Sequence, residues 1–168
     1  PSASSAASDV YKRQALEKDN EIIVGGVYQP LTDEFFWAVK GRGAFCNNLR
    51  LRVSSRENLK DCMIGTGIPH RGMKGHEEYL PGLGTVMENV CGVRRLGAAS
   101  LDLAYVAAGK YDGYWEKNLK LVDIAAGSLI VKEAGGKVTD FEGREEYLNS
   151  GRILATNFRI HDQLQRII

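Results

Sequence analysis

Two carboxylates in the second half of the chain stand where chemistry could be done. Asp123 follows a short loop and opens a helical stripe, and Glu116 ends the strand-like run that begins at Tyr111. A carboxylate at a helix start is commonly an N-cap that accepts backbone amides. The same group offers the oxygen that a hard cation such as magnesium takes. Glu116 is either a solvated strand-end side chain or an acceptor for sugar or polyol hydroxyls, because the crevices beyond the strand ends of α/β sheets bind ligands. Gly97-Ala98-Ala99-Ser100 opens a second helix with small residues. Such residues leave the first backbone amides open to a hydroxyl or anion, and they equally permit close helix packing.

The other reactive residue types form no constellation. His70, His76 and His161 have no ligand spacing to one another or to cysteine, so surface or capping roles are expected. Arg94-Arg95 reads as a solvated pair, with phosphate steering as the alternative. Cys46, Cys62 and Cys91 are odd in number and lack a C-x-x-C pair, which speaks against a disulfide framework or a zinc site and for reduced thiols in a cytoplasmic protein. No P-loop and no G-x-S-x-G nucleophile elbow is present.

The elements that position these residues fall into two kinds. A strand beginning near Ala15, the β-branched run Ile22 to Tyr28 and the aromatic run Phe35 to Lys40 are separated by Glu17-Lys18-Asp19-Asn20 and Gln29-Pro30-Leu31-Thr32-Asp33, which carry turn residues. Gly43 to Cys46, the tight pair Asn47-Asn48, and Leu49, Leu51 and Val53 alternating with arginines complete an antiparallel meander. The polar stretch Ser54 to Lys60 reads as a junction. Beyond it, strands alternate with helices: a strand at Cys62 to Gly67, a helix over His76 to Val90 weakened by Pro81, Gly82 and Gly84, and a helix from Leu101 to Ala108 stopped by Gly109. Tyr111 to Glu116 is the next strand, and Val122, Ala125, Ala126, Leu129 and Ile130 mark a helix ended by Gly135-Gly136. Lys137 to Phe141 and Arg152 to Ala155 are strands, and a last helix starting at Asn157 buries Ile160, Leu164, Ile167 and Ile168. This alternation predicts a layered α/β sheet.

With 168 residues, 43% of them hydrophobic, the chain is long enough for a core. A net charge of +1 provides no basic field for nucleic acid. No apolar run approaches the roughly 20 residues that span a bilayer. Residues 1–14 are Ser/Ala-rich and unpatterned, have no apolar core of a signal peptide, and read as a non-native or disordered leader.

The stretch Arg94-Arg95-Leu96-Gly97-Ala98-Ala99-Ser100-Leu101-Asp102-Leu103-Ala104-Tyr105-Val106-Ala107-Ala108-Gly109 resembles the inositol monophosphatase family. So do Tyr111-Asp112-Gly113-Tyr114-Trp115-Glu116, Val122-Asp123-Ile124-Ala125-Ala126-Gly127 and Glu133-Ala134-Gly135-Gly136, with Gly26-Val27-Tyr28-Gln29-Pro30 and Gly41-Arg42-Gly43-Ala44-Phe45 upstream in the same order. The resemblance implies an αβαβα sandwich, N-terminally truncated. Residues 15–57 would be the remaining antiparallel strands of an α+β part, and 58–168 the C-terminal α/β part. It implies that Asp123 is a magnesium ligand in the family's W-D-x-A-[AG]-G motif, that Glu116 contacts substrate hydroxyls, and that Gly97, Ala98 and Ala99 face the substrate. The implied reaction is hydrolysis of a small phosphate ester, with metal ions activating water.

Two departures bear on that reading. Val122 replaces the usual Trp, and the family's G-E-E and D-P-[IL]-D-G-T segments, which supply most metal ligands, do not occur. One aspartate does not organise a multi-metal site, so the chain is expected to be an inactive fragment of an inositol-1-monophosphatase-type enzyme. The alternatives are a relative acting on fructose bisphosphate, histidinol phosphate or NADP, or a non-catalytic interaction module, since some bacterial members contact the transcription machinery. The family also implies a homodimer, part of whose interface lies in the portion not present here. A meander without its neighbours is expected to expose an apolar face.

Overall fold

The structure is a computed structural model that describes residues 11–69 and 75–168. The first sheet is an antiparallel meander, β1 (Lys12–Lys18), β2 (Glu21–Gln29), β3 (Glu34–Val39), β4 (Gly43–Cys46) and β5 (Leu49–Arg50), in sequence order. Asp19 and Asn20 both take positive φ, 53° and 60°, between the paired residues Lys18 and Glu21. This two-residue turn matches the strand twist and sets the register. β1 begins within the segment expected to be a leader: Lys12, Arg13 and Gln14 pair with Tyr28, Val27 and Gly26. The sheet therefore starts three residues earlier than Ala15, while residues 1–10 lie outside the described residues.

The second sheet has the order β7-β6-β8-β10-β9, formed by β6 (Met63–Thr66), β7 (Gly92–Arg94), β8 (Gly113–Glu116), β9 (Lys137–Thr139) and β10 (Ile153–Thr156). β6 runs parallel to β7 and β8, and β10 is antiparallel to β8 and β9. Helices α2 (Ala99–Ala107) and α3 (Leu121–Glu133) pack on each other and lie between the two sheets. This explains why every residue of α3 from Ile124 to Val131 is buried, for a helix covered on both sides is apolar all round. Gly25 of β2 makes the approach possible, because a Cβ there would come within 2.8 Å of the Ala126 carbonyl oxygen.

Period-two alternation divides β8 between two cores. Tyr114 faces the helices between the sheets, while Trp115 joins the outer cluster with Tyr79 and Val86 of α1 (His76–Asn89) and Leu164 of α5 (His161–Gln165). The layers thus read sheet, helices, sheet, helices. On the outer face of the meander Leu16, Val24 and Phe35 are exposed and, with Tyr28 and Trp37, border a groove of ≈ 570 Å³. This is the apolar face expected of the meander.

The junction between the two parts is pinned by one fully buried carboxylate. Asp112 accepts the Ser54 hydroxyl, the Arg56 guanidinium at 3.0 Å and the Met63 amide at 2.7 Å. Elsewhere the structure corrects the expected pattern. Leu49 is exposed because the ladder ends after Arg50, and the chain then turns Leu51 into the core. The last helix begins at His161, not Asn157, because Phe158 takes φ 75°. His161 is not a surface residue. It is 1% exposed, with Nε2 and Nδ1 each 2.9 Å from the hydroxyls of Thr139 and Thr156. His76 opens α1 with Nε2 3.1 Å from the Pro69 carbonyl, and His70 lies outside the described residues. The strand β7 and the short helix α4 (Tyr147–Ser150) have no counterpart in the sequence pattern. Cys46, Cys62 and Cys91 are all free thiols. No helix among the described residues is long and apolar enough to cross a membrane.

Candidate functional site

Glu116 ends β8, and the pleat that turns Tyr114 inward turns Glu116 to the same side. The Tyr114 hydroxyl donates to Glu116 Oε2. The carboxyl group lies against Gly67, where an added Cβ would fall 1.9 Å from the Glu116 carboxyl carbon. A glycine just past β6 is therefore what leaves room for this side chain. Burial is the main influence on the Glu116 carboxyl and raises its pKa. The Tyr114 hydrogen bond lowers it, the negative charge of Asp123 raises it, and the charge of Arg95 lowers it. The charges of Asp123 and Arg95 thus both reach Glu116.

The Gly97 to Ala99 turn enters α2 beside them. Gly97 has φ 85°, Ala98 is the N-cap residue, and no side chain caps the helix. Arg95 is exposed but folds back over the turn, its guanidinium carbon 3.2 Å from where a Gly97 Cβ would stand. The sequence therefore understated this arginine: it is one half of a pair whose neighbour, Arg94, donates to the adjacent Val93 carbonyl at 3.0 Å.

Asp123 is the third residue of α3 and not its N-cap, which is Lys120. Its Oδ2 accepts the Lys120 backbone amide at 3.0 Å, while its own amide donates to the Lys120 carbonyl at 2.9 Å. This closes the first turn reciprocally. Its Oδ1 accepts Arg13 Nη2 at 2.8 Å, and Arg13 Nε donates to the Val122 carbonyl at 2.9 Å. Arg13 could not have been paired with Asp123 from the sequence, since 110 positions separate them and Arg13 sits in the segment set aside as a leader.

The fit of this site to magnesium follows from its donors. Hard cations take six or more oxygen ligands, and Mg²⁺ is held by carboxylates together with water or substrate oxygens. Among the described residues no group of three His, Cys, Asp or Glu side chains could hold a metal ion. Asp123 is the one expected ligand, and both of its oxygens are engaged, one by a guanidinium. These residues alone do not fit the ion. What they build is an acceptor, Glu116, beside a helix entrance and a cationic side chain.

Comparison with known proteins gives the family. The model of the inositol monophosphatase family matches residues 15–168. A protein of Rhizobium meliloti named inositol-1-monophosphatase is 50% identical over 154 residues, covering 92% of this chain and 58% of the relative. A Pseudomonas aeruginosa protein named Nus factor SuhB is 49% identical over 133 residues, covering 78% of this chain and 49% of its own length. The crystal structure of the extragenic suppressor protein suhB from Bartonella henselae superposes with a TM-score of 0.89 at 50% identity, covering 92% of this chain and 60% of that one. The chain therefore spans less than two thirds of these relatives. Matched in sequence from residue 15 to its last residue and in fold to a solved relative, the chain belongs to the inositol monophosphatase family.

Proposed function

We propose that this chain is the substrate-hydroxyl side of a phosphate monoester hydrolase of the inositol-1-monophosphatase type, and that by itself it hydrolyses nothing. The observation that carries the reading is the placement of Glu116, half-buried against Gly67 and Tyr114, in one region with Asp123, Arg95 and the Gly97–Ala99 turn. A carboxylate fixed in that way, with one oxygen already taken by Tyr114, keeps acceptor capacity for a polyol hydroxyl. The backbone of Gly97, Ala98 and Ala99 offers the complementary surface, and Arg95 favours an anionic ester nearby. Asp123 stands where the family's metal ligand stands, but in this chain its charge is met by Arg13. No hydrolytic step is therefore assigned to these residues, and the magnesium dependence belongs to the whole enzyme. Three free thiols support a cytoplasmic placement.

The test is an assay of the purified chain with inositol 1-phosphate and magnesium, with phosphate release and ligand binding measured separately. The expected result is no release above background, with ligand shifts confined to residues 97–99 and 116. Turnover abolished by D123N would overturn the reading of an inert chain.

A second reading has its own support. Several relatives, among them the 49% identical Pseudomonas aeruginosa protein, carry the name Nus factor SuhB. A role as a non-catalytic binding partner would be favoured by association with transcription components that E116Q leaves unchanged.

A further inference from the structure

A carboxylate within α2 has no explanation in helix packing. Asp102 stands between Leu101 and Leu103, is 1% exposed, and its Oδ1 has no hydrogen-bond partner among the described residues. A buried polar atom is normally paired, and an exception calls for a reason. The neighbours of Asp102 supply one. The Ala98 amide bonds its carboxyl group, which ties the side chain to the turn that enters α2. The charges of Glu116 and Arg95 both act on it, and the hydroxyls of Tyr111 and Tyr114 feel it in return. Asp102 is thus tied to the turn and lies within reach of the Glu116 charge, on a helix that packs against β8, while reaching no solvent itself.

We propose that Asp102 is a positioning residue that couples the Gly97–Ala99 turn to Glu116, so that the two present one fixed acceptor and donor surface to a polyol. The proposal rests on the reading of Glu116 as the hydroxyl acceptor. Two carboxyl groups that sense each other do not ionise together at low cost, and the more buried one keeps the proton. Burial first, then the charge of Glu116, push the Asp102 carboxyl up to about 8, against the Ala98 amide and Arg95, which lower it. At neutral pH Asp102 is therefore the partner that holds a proton. Asn reproduces the neutral form in shape and hydrogen bonding, and Leu does not.

The experiment is an NMR titration of the full chain, following the Ala98 and Ala99 amides with pH and with myo-inositol. The Ala98 amide is expected to report a transition near pH 8 that D102N abolishes and E116Q moves to lower pH. Saturable myo-inositol shifts at Ala98 and Ala99 are expected to weaken at least tenfold in D102L and to stay within about twofold in D102N. An Ala98 amide without that transition, or one unmoved by E116Q, overturns the coupling whether or not D102L folds. Unweakened binding by a folded D102L overturns it as well. Absence of myo-inositol shifts in the unchanged chain, with the pH coupling intact, sinks only the reading of Glu116 as a hydroxyl acceptor.

Discussion

Acidification should unfold this chain through His161. The imidazole is 1% exposed, and its hydrogen bonds define its tautomer. Thr139 donates its hydroxyl to the Asp140 carbonyl at 2.6 Å, so it accepts from Nε2–H of His161. Nδ1 then accepts the Thr156 hydroxyl, whose oxygen also receives the Phe158 amide at 3.3 Å. A proton added at Nδ1 would face an oxygen whose own hydrogen has lost its acceptor. Burial, followed by the charge of Lys137 and opposed by Asp162, lowers the pKa from 6.5 to about 4. The folded value lies below the unfolded one, so the contribution is complete above pH 6.5 and is lost as pH falls toward 4. The interval corresponds to about 3 kcal/mol at about 1.4 kcal/mol per pH unit. Urea unfolding followed by circular dichroism at pH 7.5, 6 and 5 measures it, with H161N as the variant in which this part of the slope disappears. A His161 ring that titrates near 6.5 in the folded chain, or identical slopes in both proteins, would refute the reasoning.

Three further outcomes follow from single features. D112A removes the acceptor shared by Ser54, Arg56 and the Met63 amide, and should cost about 3 kcal/mol in thermal or urea unfolding. F158N should raise stability by roughly 0.5 kcal/mol, because Phe158 holds φ 75° while 64% exposed, and Asn adopts that conformation more readily. Charges on the open face of the meander, as in L16E with F35E, should reduce dye binding and self-association measured by light scattering, with little change in Tm.

Much of the fold can be read before any coordinates. The β-branched and aromatic runs of β2 and β3, helical stripes in α2 and α3, and glycines after the helices are local signals, repeated over enough residues to outvote noise. β7 and α4 escape that reading, since three or four residues carry no period. At the site, Glu116, Asp123 and the Gly97–Ala99 turn stand out by residue type and by place at element ends, whereas their surroundings do not. The apolar stripe of α2 shows that Asp102 is out of pattern, but not that its carboxyl group is unpaired or that Glu116 lies within reach of its charge. Sequence by itself determined which residues could accept a hydroxyl or a cation. Tertiary structure alone decided their charges and partners: Arg13 from β1 against Asp123, Gly67 from the end of β6 against Glu116, two threonine hydroxyls closing on His161. The physical reason is that burial and neighbouring charge are set by elements far apart in the chain, and no local pattern records the distance between them.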